Sequence, residues 1–293
     1  MISPYVRRRR LAAEILRLRE EHGCPADKLA KLIGVARQRI SRLENGHVRP
    51  DLNEIIKILD VLNVGENRWS KIITIAREAQ ERGWWESYAE EMGSRQSLYA
   101  NLEAGATTIR EYQQSFIPGL LQVPEFTLAR IEVDKASGPL DYDPTRAAEA
   151  RAGRQRMLRR PGGPTYEAIV DEVVLRRLPV PTDVMQRQLR SLMAAVNSSN
   201  RLEVRVLPVQ ARIAGYRMPR SAFSLYTYPD HDDPVVATVD TVTSDLVLTE
   251  KEKVAPYQEM YGRLREATLS PEDSMTFIGQ AAEGLDIEME TAS

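Results

Sequence analysis

The 293-residue chain has one cysteine, Cys24. A lone thiol excludes an intrachain disulfide and any multi-cysteine metal cluster, so an apolar core has to hold the fold. No stretch approaches the roughly 18 consecutive apolar residues that a membrane span needs. The opening segment, Met-Ile-Ser-Pro-Tyr-Val and then Arg7 to Arg10, has no apolar run behind its basic cluster, so no secretory leader is expected. Lysine is scarce, 7 residues against 33 arginines. That bias reflects GC-rich coding as much as chemistry and carries little weight alone. A glycine-rich phosphate loop, a nucleophile elbow, zinc-ligand spacing, internal repeats and low-complexity blocks are all missing. The chain reads as a cytoplasmic protein that is not an enzyme and needs no cofactor or metal.

What is present suffices for a full core: 42% of residues are apolar and 28% are charged. The length suits one large domain or two medium ones. The net charge of −2 hides an asymmetry. Residues 1–80 hold 16 Lys and Arg against 10 Asp and Glu, a net of +6; residues 81–293 hold 24 against 32, a net of −8. A basic head on an acidic body suggests that the head meets a polyanion.

Residues 1–82 read as an all-α domain of five short helices. Leu11, Ile15 and Leu18 form the apolar stripe of the first, which Gly23 ends. Pro25 suits the first turn of a second helix carrying Leu29, Ala30 and Ile33. Gly34 closes it. A third runs from about Ala36 to Glu44 with Ile40 and Leu43 inward, and stops at Asn45-Gly46. Asp51 caps a fourth with Leu52, Ile55, Ile56, Leu59 and Leu62; Trp69, Ile72, Ile73 and Ala76 mark a fifth.

Residues 83–284 read as an α/β domain. Its small mixed or antiparallel sheet is flanked by helices, and an acidic, frayed tail follows over residues 285–293. Helices are expected at about 87–104, 124–135, 144–160, 182–197, 256–267 and 271–282. Strands are expected at 108–116, 166–171, 202–207 and 222–228, with a hairpin from 235–242 and 245–248. Pro139 and Pro144 bracket a loop.

The most informative constellation lies in residues 24–46. A helix with Leu29-Ala30, a glycine turn at Gly34 and a second helix with Ile40 and Leu43 has the spacing of a helix-turn-helix. Small Ala30 lets the two helices cross closely, and Gly34 takes a backbone conformation that strains other residues. Arg37, Gln38, Arg39, Ser41 and Arg42 are left facing outward. Arginine reads guanine with two hydrogen bonds, and glutamine reads adenine likewise. A solvated charged helix face would show the same residues, but without the turn glycine, the small residue and the core pair in register.

Leu29-Ala30-Lys31-Leu32-Ile33-Gly34-Val35, then Ile40-Ser41-Arg42-Leu43-Glu44-Asn45-Gly46 and Pro50, resemble the lambda-repressor-like, Xre-type DNA-binding domain. The resemblance implies that the third helix reads the major groove. It makes Arg37, Gln38 and Arg42 the base readers. It places Arg39, Ser41 and Asn45, with the backbone near Gly46, on phosphates. That family carries Thr or Ser and then Gln at the start of its second helix; here Pro25 and Ala26 stand there. Lys28, or Arg7, Arg8, Arg9 and Arg10, are the candidates to replace that phosphate contact. The arginine run is open to two readings, a disordered arm in the minor groove or a solubilising start to helix one.

The body carries Trp84-Trp85, Leu102-Glu103-Ala104, Tyr112, Ile117-Pro118-Gly119-Leu120-Leu121-Gln122 and Val206-Leu207-Pro208. This is similar to the large C-terminal domain of WhiJ-like actinobacterial regulators. The resemblance implies a transcription regulator, often encoded beside a small partner protein in a toxin–antitoxin-like arrangement. A dimer on a double-stranded, palindromic operator, bound to the nucleoid, is the expected form. An antitoxin-like module that sequesters a small partner protein, and a small-molecule receptor coupled to DNA binding, are the alternatives.

Four further features have two readings each. Asp171-Glu172 is an adjacent carboxylate pair whose members point to opposite faces of a strand, so contacts at a strand end are expected rather than acid–base work. Asp230-His231-Asp232-Asp233 offers metal-ligand atoms but, between Pro229 and Pro234, reads as a polar hairpin turn. Trp84, Trp85 and Tyr88 either line a pocket or pack a hinge between the domains. His22, His47 and Cys24 have no neighbours in sequence that would make them reactive.

Overall fold

The computed structural model describes residues 2–136, 143–241 and 245–292. Local signals govern its first five helices. Ser3 caps α1 (Pro4–Glu21): its Oγ accepts the Val6 amide at 3.3 Å, and Pro4 sits where a missing N–H costs nothing. The run Arg7–Arg10 is therefore helical. α2 (Ala26–Ile33) ends at Gly34, whose φ of 76° is left-handed. α3 (Arg37–Glu44) begins after a three-residue turn. Asp51 caps α4 (Leu52–Val61), its Oδ1 accepting the Asn53 and Glu54 amides at 2.8 and 3.1 Å. α5 (Glu66–Gln80) closes the bundle. Leu11, Ile15, Leu18, Leu29, Ile40, Leu43, Ile55, Leu59 and Ile72 meet in one buried core, each worth about 1.5–3 kcal/mol over exposure.

The second domain is a six-stranded mixed sheet of order β3-β2-β1-β4-β5-β6. β1 (Thr108–Gln113), β2 (Thr165–Asp171) and β3 (Leu202–Leu207) run parallel. β4 (Phe223–Thr227), β5 (Val236–Val239) and β6 (Leu246–Leu248) continue the sheet from β1 with antiparallel pairing. Parallel neighbours need crossovers. α7 (Pro124–Ala136) and α8 (Pro144–Arg159) form the first; α9 (Glu172–Arg176) and α10 (Thr182–Asn197) form the second. The loop at Pro139 lies outside the described residues, as does the end of the hairpin at Val242.

Alternation along the strands builds two cores. On one face Ile109, Tyr166, Ala168, Val170, Val204 and Val206 meet Leu189 of α10 and Ile278 of α12 (Pro271–Ala292). On the other, Tyr112, Ile169, Phe223 and Leu225 meet Tyr261 and Leu264 of α11 (Lys251–Ala267). Three expectations are corrected. α11 starts at Lys251 rather than Pro256, because burying Val254 against the sheet sustains an extra turn before the proline. α9 was not foreseen. α12 continues through the acidic stretch expected to fray, behind a buried stripe of Ile278, Ala282 and Leu285.

α6 (Ala89–Gly105), interrupted at Gly93 where φ is 64°, joins the two domains. Trp85, with Trp84 and Tyr88, packs onto α6 and α8 through Ala100, Ala104, Ala150 and Met157. Arg49 reaches this segment from the first domain and pairs with Glu86 at 2.5 Å. The aromatic cluster is thus packed within the second domain, and Glu86 of the same turn meets the first. Below it, Arg154 of α8 and Glu103 of α6 form a buried two-pronged ion pair at 2.5 and 2.9 Å.

The first turn of α1 docks on the second domain. Val6 lies in the core beneath α6 and β1. Asn101 Oδ1 accepts both the Ser3 hydroxyl and the Tyr5 amide, at 3.1 and 3.0 Å. Gly105 is obligatory here: a Cβ would stand 2.3 Å from the Ser3 nitrogen, and backbone cannot yield as a side-chain tip does. Gly105→Ala is expected to cost about 1–3 kcal/mol by overpacking. In thermal unfolding of the full chain, an unchanged melting temperature would mean that the helix start is not seated there.

Candidate nucleic-acid interface

α2 and α3 are held by Leu29, Ile40 and Leu43, all buried, and by Ala30, whose small side chain sits at their crossing. Gly34 turns the chain, and the Val35 amide donates to Ala30 O at 3.0 Å. Arg19 of α1 clasps the end of α3. It pairs with Glu44 at 2.5 Å and donates to Cys24 O at 3.0 Å. Cys24 is buried in this contact region.

With the inner face committed, Arg37, Gln38, Ser41, Arg42 and Asn45 lie exposed on α3 and its cap, in the intact chain with the second domain in place. Lys28 is exposed on α2. The side chains of Lys28, Gln38, Ser41 and Arg42 make no hydrogen bond or ion pair among the described residues. Arg37 pairs with Asp27 at 2.8 Å, but both side chains are mostly exposed, at 72% and 64%. Such a surface pair is worth about 0–1 kcal/mol and is readily exchanged for a stronger acceptor. Asn45 Nδ2 donates to Ser41 O at 2.6 Å. Neither α2 nor α3 has a side-chain cap, so their first-turn amides have no side-chain partner.

Arg39, Arg7 and Arg10, expected on phosphates, are engaged within the protein. Arg39 Nε donates to Glu54 Oε2 at 2.8 Å, which pins α3 to α4. Arg7, only 7% exposed, faces Glu78 at 2.9 Å, Asp233 at 3.0 Å and Asp230 at 3.1 Å. Arg10 meets Asp230 at 2.5 Å, Asp232 at 3.0 Å and Asp233 at 3.2 Å. These carboxylates neutralise both guanidinium groups, and a phosphate would have to displace them. Arg9 donates to Asn45 O at 2.6 Å and Thr249 Oγ1 at 3.1 Å, and Arg8 reaches Ala79 O at 3.5 Å. The run is neither a groove-binding arm nor a solubilising start. It bolts the first domain to the second.

The acidic turn between β4 and β5 supplies the other half of that bolt. Ligand atoms of Asp230, His231 and Asp232 lie within 4.8 Å of one another, yet both carboxylates already take Arg10. Burial alone would raise the Asp230 carboxyl; hydrogen bonds from Arg10, the Asp232 amide and Arg7 outweigh it and hold the group well below the usual carboxylate range. Burial does prevail at Asp233, raising its carboxyl despite Arg7 and Arg10.

Elsewhere, Asp171 caps α9 through the Val173 amide at 3.2 Å, and Glu172 accepts the Val209 amide at 2.9 Å and Arg176 at 2.5 Å. These are the contacts expected at a strand end. His22 Nδ1 lies 2.8 Å from Leu18 O at the end of α1.

This geometry defines a two-domain protein whose head is a helix-turn-helix of DNA-binding type and whose body is a large α/β domain. Residues 15–69 match the model of the Helix-turn-helix family, and residues 96–280 match that of the domain of unknown function DUF5753. The chain belongs to the DUF5753 family, joined to an Xre-type head, the architecture of a DNA-binding regulator. No curated protein matches the chain. Among the described residues, no helix is long and apolar enough to cross a membrane.

Proposed function

We propose that the protein is a sequence-specific, dimeric transcription regulator that reads a palindromic operator with α3, acts in the cytoplasm on the nucleoid and catalyses no reaction. The observation that carries this reading is the exposure of Arg37, Gln38, Ser41 and Arg42 on α3, while both apolar residues of the helix, Ile40 and Leu43, are buried. Arg37 and Arg42 suit guanine, and Gln38 suits adenine. Lys28, Ser41 and Asn45, all exposed, suit phosphate oxygens.

One helix-turn-helix covers few base pairs, so useful specificity calls for two half-sites, roughly 34 Å apart. The body offers a surface for a second copy or a small partner protein. In the β3–β4 connection Val209, Tyr216 and Met218 are 64, 90 and 65% exposed. Tyr216 also holds a φ of 54°, strain of the kind that clusters at functional surfaces.

Selection of bound duplexes from a random pool, then titration of the full chain on the winner, tests this. A palindromic consensus with two chains per duplex is expected. Affinity should fall with salt at a log–log slope of about −0.9 per phosphate contacted. No enriched sequence would end the sequence-specific reading, and one chain per duplex at saturation would end the dimer.

A further inference from the structure

The second domain carries a half-open cavity of about 350 Å³ that the proposed DNA recognition does not use. It lies between the sheet, at β1 and β4, and the helices α6 to α8, and its walls are charged with opposite signs. From the helices come guanidinium groups, Arg95 on α6, Arg130 on α7 and Arg151 and Arg154 on α8, with the Glu103 carboxylate of α6 paired to Arg154. From the sheet come carboxyls, Glu111 on β1 and Asp240 just past β5.

Each of these groups is oriented by contacts within the protein. Arg151 donates to Gln122 and lies 3.5 Å from Thr127 Oγ1. Arg130 donates to Pro179 O at 3.3 Å and stands 4.9 Å over the Phe116 ring. Glu111 accepts the Tyr166 hydroxyl at 2.6 Å and Gln113 Nε2 at 2.8 Å. Asp240 accepts the Tyr99 hydroxyl at 2.6 Å. Arg154 is committed to Glu103 and to Gln96. Burial pushes the Glu111 carboxyl up to about 7, against the hydrogen bonds from Tyr166 and Gln113.

Cavities that stay empty are apolar, whereas a polar one this large holds water or a ligand. Its volume is at the small end of the range for small-molecule sites. An apolar ligand would strand buried charges. A polyanion would meet Glu103, Glu111 and Asp240, and a polycation the four arginines. A molecule with one charge of each sign, set a few bonds apart, matches both walls.

We infer that this cavity binds a zwitterion of amino-acid or dipeptide size, its carboxylate towards Arg130 and Arg151 and its ammonium towards Glu111 and Asp240. The inference concerns the body alone and does not depend on what the head recognises.

Calorimetric titration of the full chain with each proteinogenic L-amino acid, and with glycylglycine, alanylalanine and glycylleucine, tests it. At least one is expected to bind saturably. Its N-acetylated and its C-amidated forms should each bind about tenfold more weakly or worse, since each loses one charge-assisted contact. Asp240→Asn and Arg151→Gln should weaken binding comparably, and Ser224→Leu, which fills the space without altering either charged wall, should abolish it. No binding by any member of the panel would overturn the proposal. So would blocked forms that bind as well as the free compound, a comparison made on the unaltered protein and independent of how the variants fold. An unchanged affinity in folded Ser224→Leu would place the ligand elsewhere and overturn it equally.

Discussion

Glu103→Gln is expected to destabilise the second domain by about 3–5 kcal/mol, the usual cost of removing one member of a buried ion pair. The glutamine keeps the shape and one acceptor, so the loss isolates the charge. Arg154 would remain, its side chain only 7% exposed, facing an amide where a carboxylate stood. Burial alone would lower the Arg154 pKa; the field of Glu103 reverses this and raises it above the usual arginine range, so the guanidinium cannot escape by losing its proton. The neighbouring Gln96 accepts one further N–H but brings no charge. The melting temperature should fall by roughly 6–20 °C for a domain of this size. Replacing both partners by leucine and methionine should recover much of the loss, because the penalty is the uncompensated charge rather than a missing attraction. Urea denaturation of the two variants beside the parent reads this directly. A loss under about 1 kcal/mol would show that water reaches Arg154.

Arg42→Ala is expected to weaken binding to the selected duplex by about 1–3 kcal/mol, roughly 5- to 150-fold, and to weaken binding to random duplex far less. Arg42 is exposed on the free face of α3 and has no intramolecular partner among the described residues, so the folded state should be untouched, within about 0.5 kcal/mol. Arg39→Ala is the informative contrast. It removes the tie to Glu54 and should weaken both duplexes together by letting α3 shift on α4. Fluorescence anisotropy at one fixed salt concentration separates the cases. Equal losses on both duplexes for Arg42→Ala would mean that this residue touches phosphate only.

These two arginines show where sequence and structure part. In the sequence Arg37, Arg39 and Arg42 all read as outward-facing DNA contacts on one short helix. The three-dimensional position of Glu54 makes Arg39 a brace and leaves the other two exposed on the outer face. Arg7 and Arg10 repeat the lesson at longer range, because their acidic partners in the β4–β5 turn lie 220 to 226 residues downstream, in a segment that reads alone as a polar hairpin turn. No local pattern announces such a pairing. The charged cavity escaped the sequence reading for the same reason. Glu103, Glu111, Arg154 and Asp240 come from four separate elements, and each looks unremarkable in its own window.

The sequence by itself determined the helices of the head, their caps and breaks, the helix-turn-helix spacing and the alternating strands of the body. Each of these is encoded within one or two turns of backbone, by a capping oxygen, a left-handed glycine or an apolar period. The tertiary structure alone decided that three parallel and three antiparallel strands share one sheet, which arginines brace the protein and which stay exposed on α3, and that the first turn of α1 is anchored in the other domain. Those outcomes depend on which distant carboxylate or apolar face arrives beside a residue when the chain collapses, and separation along the chain carries no record of that.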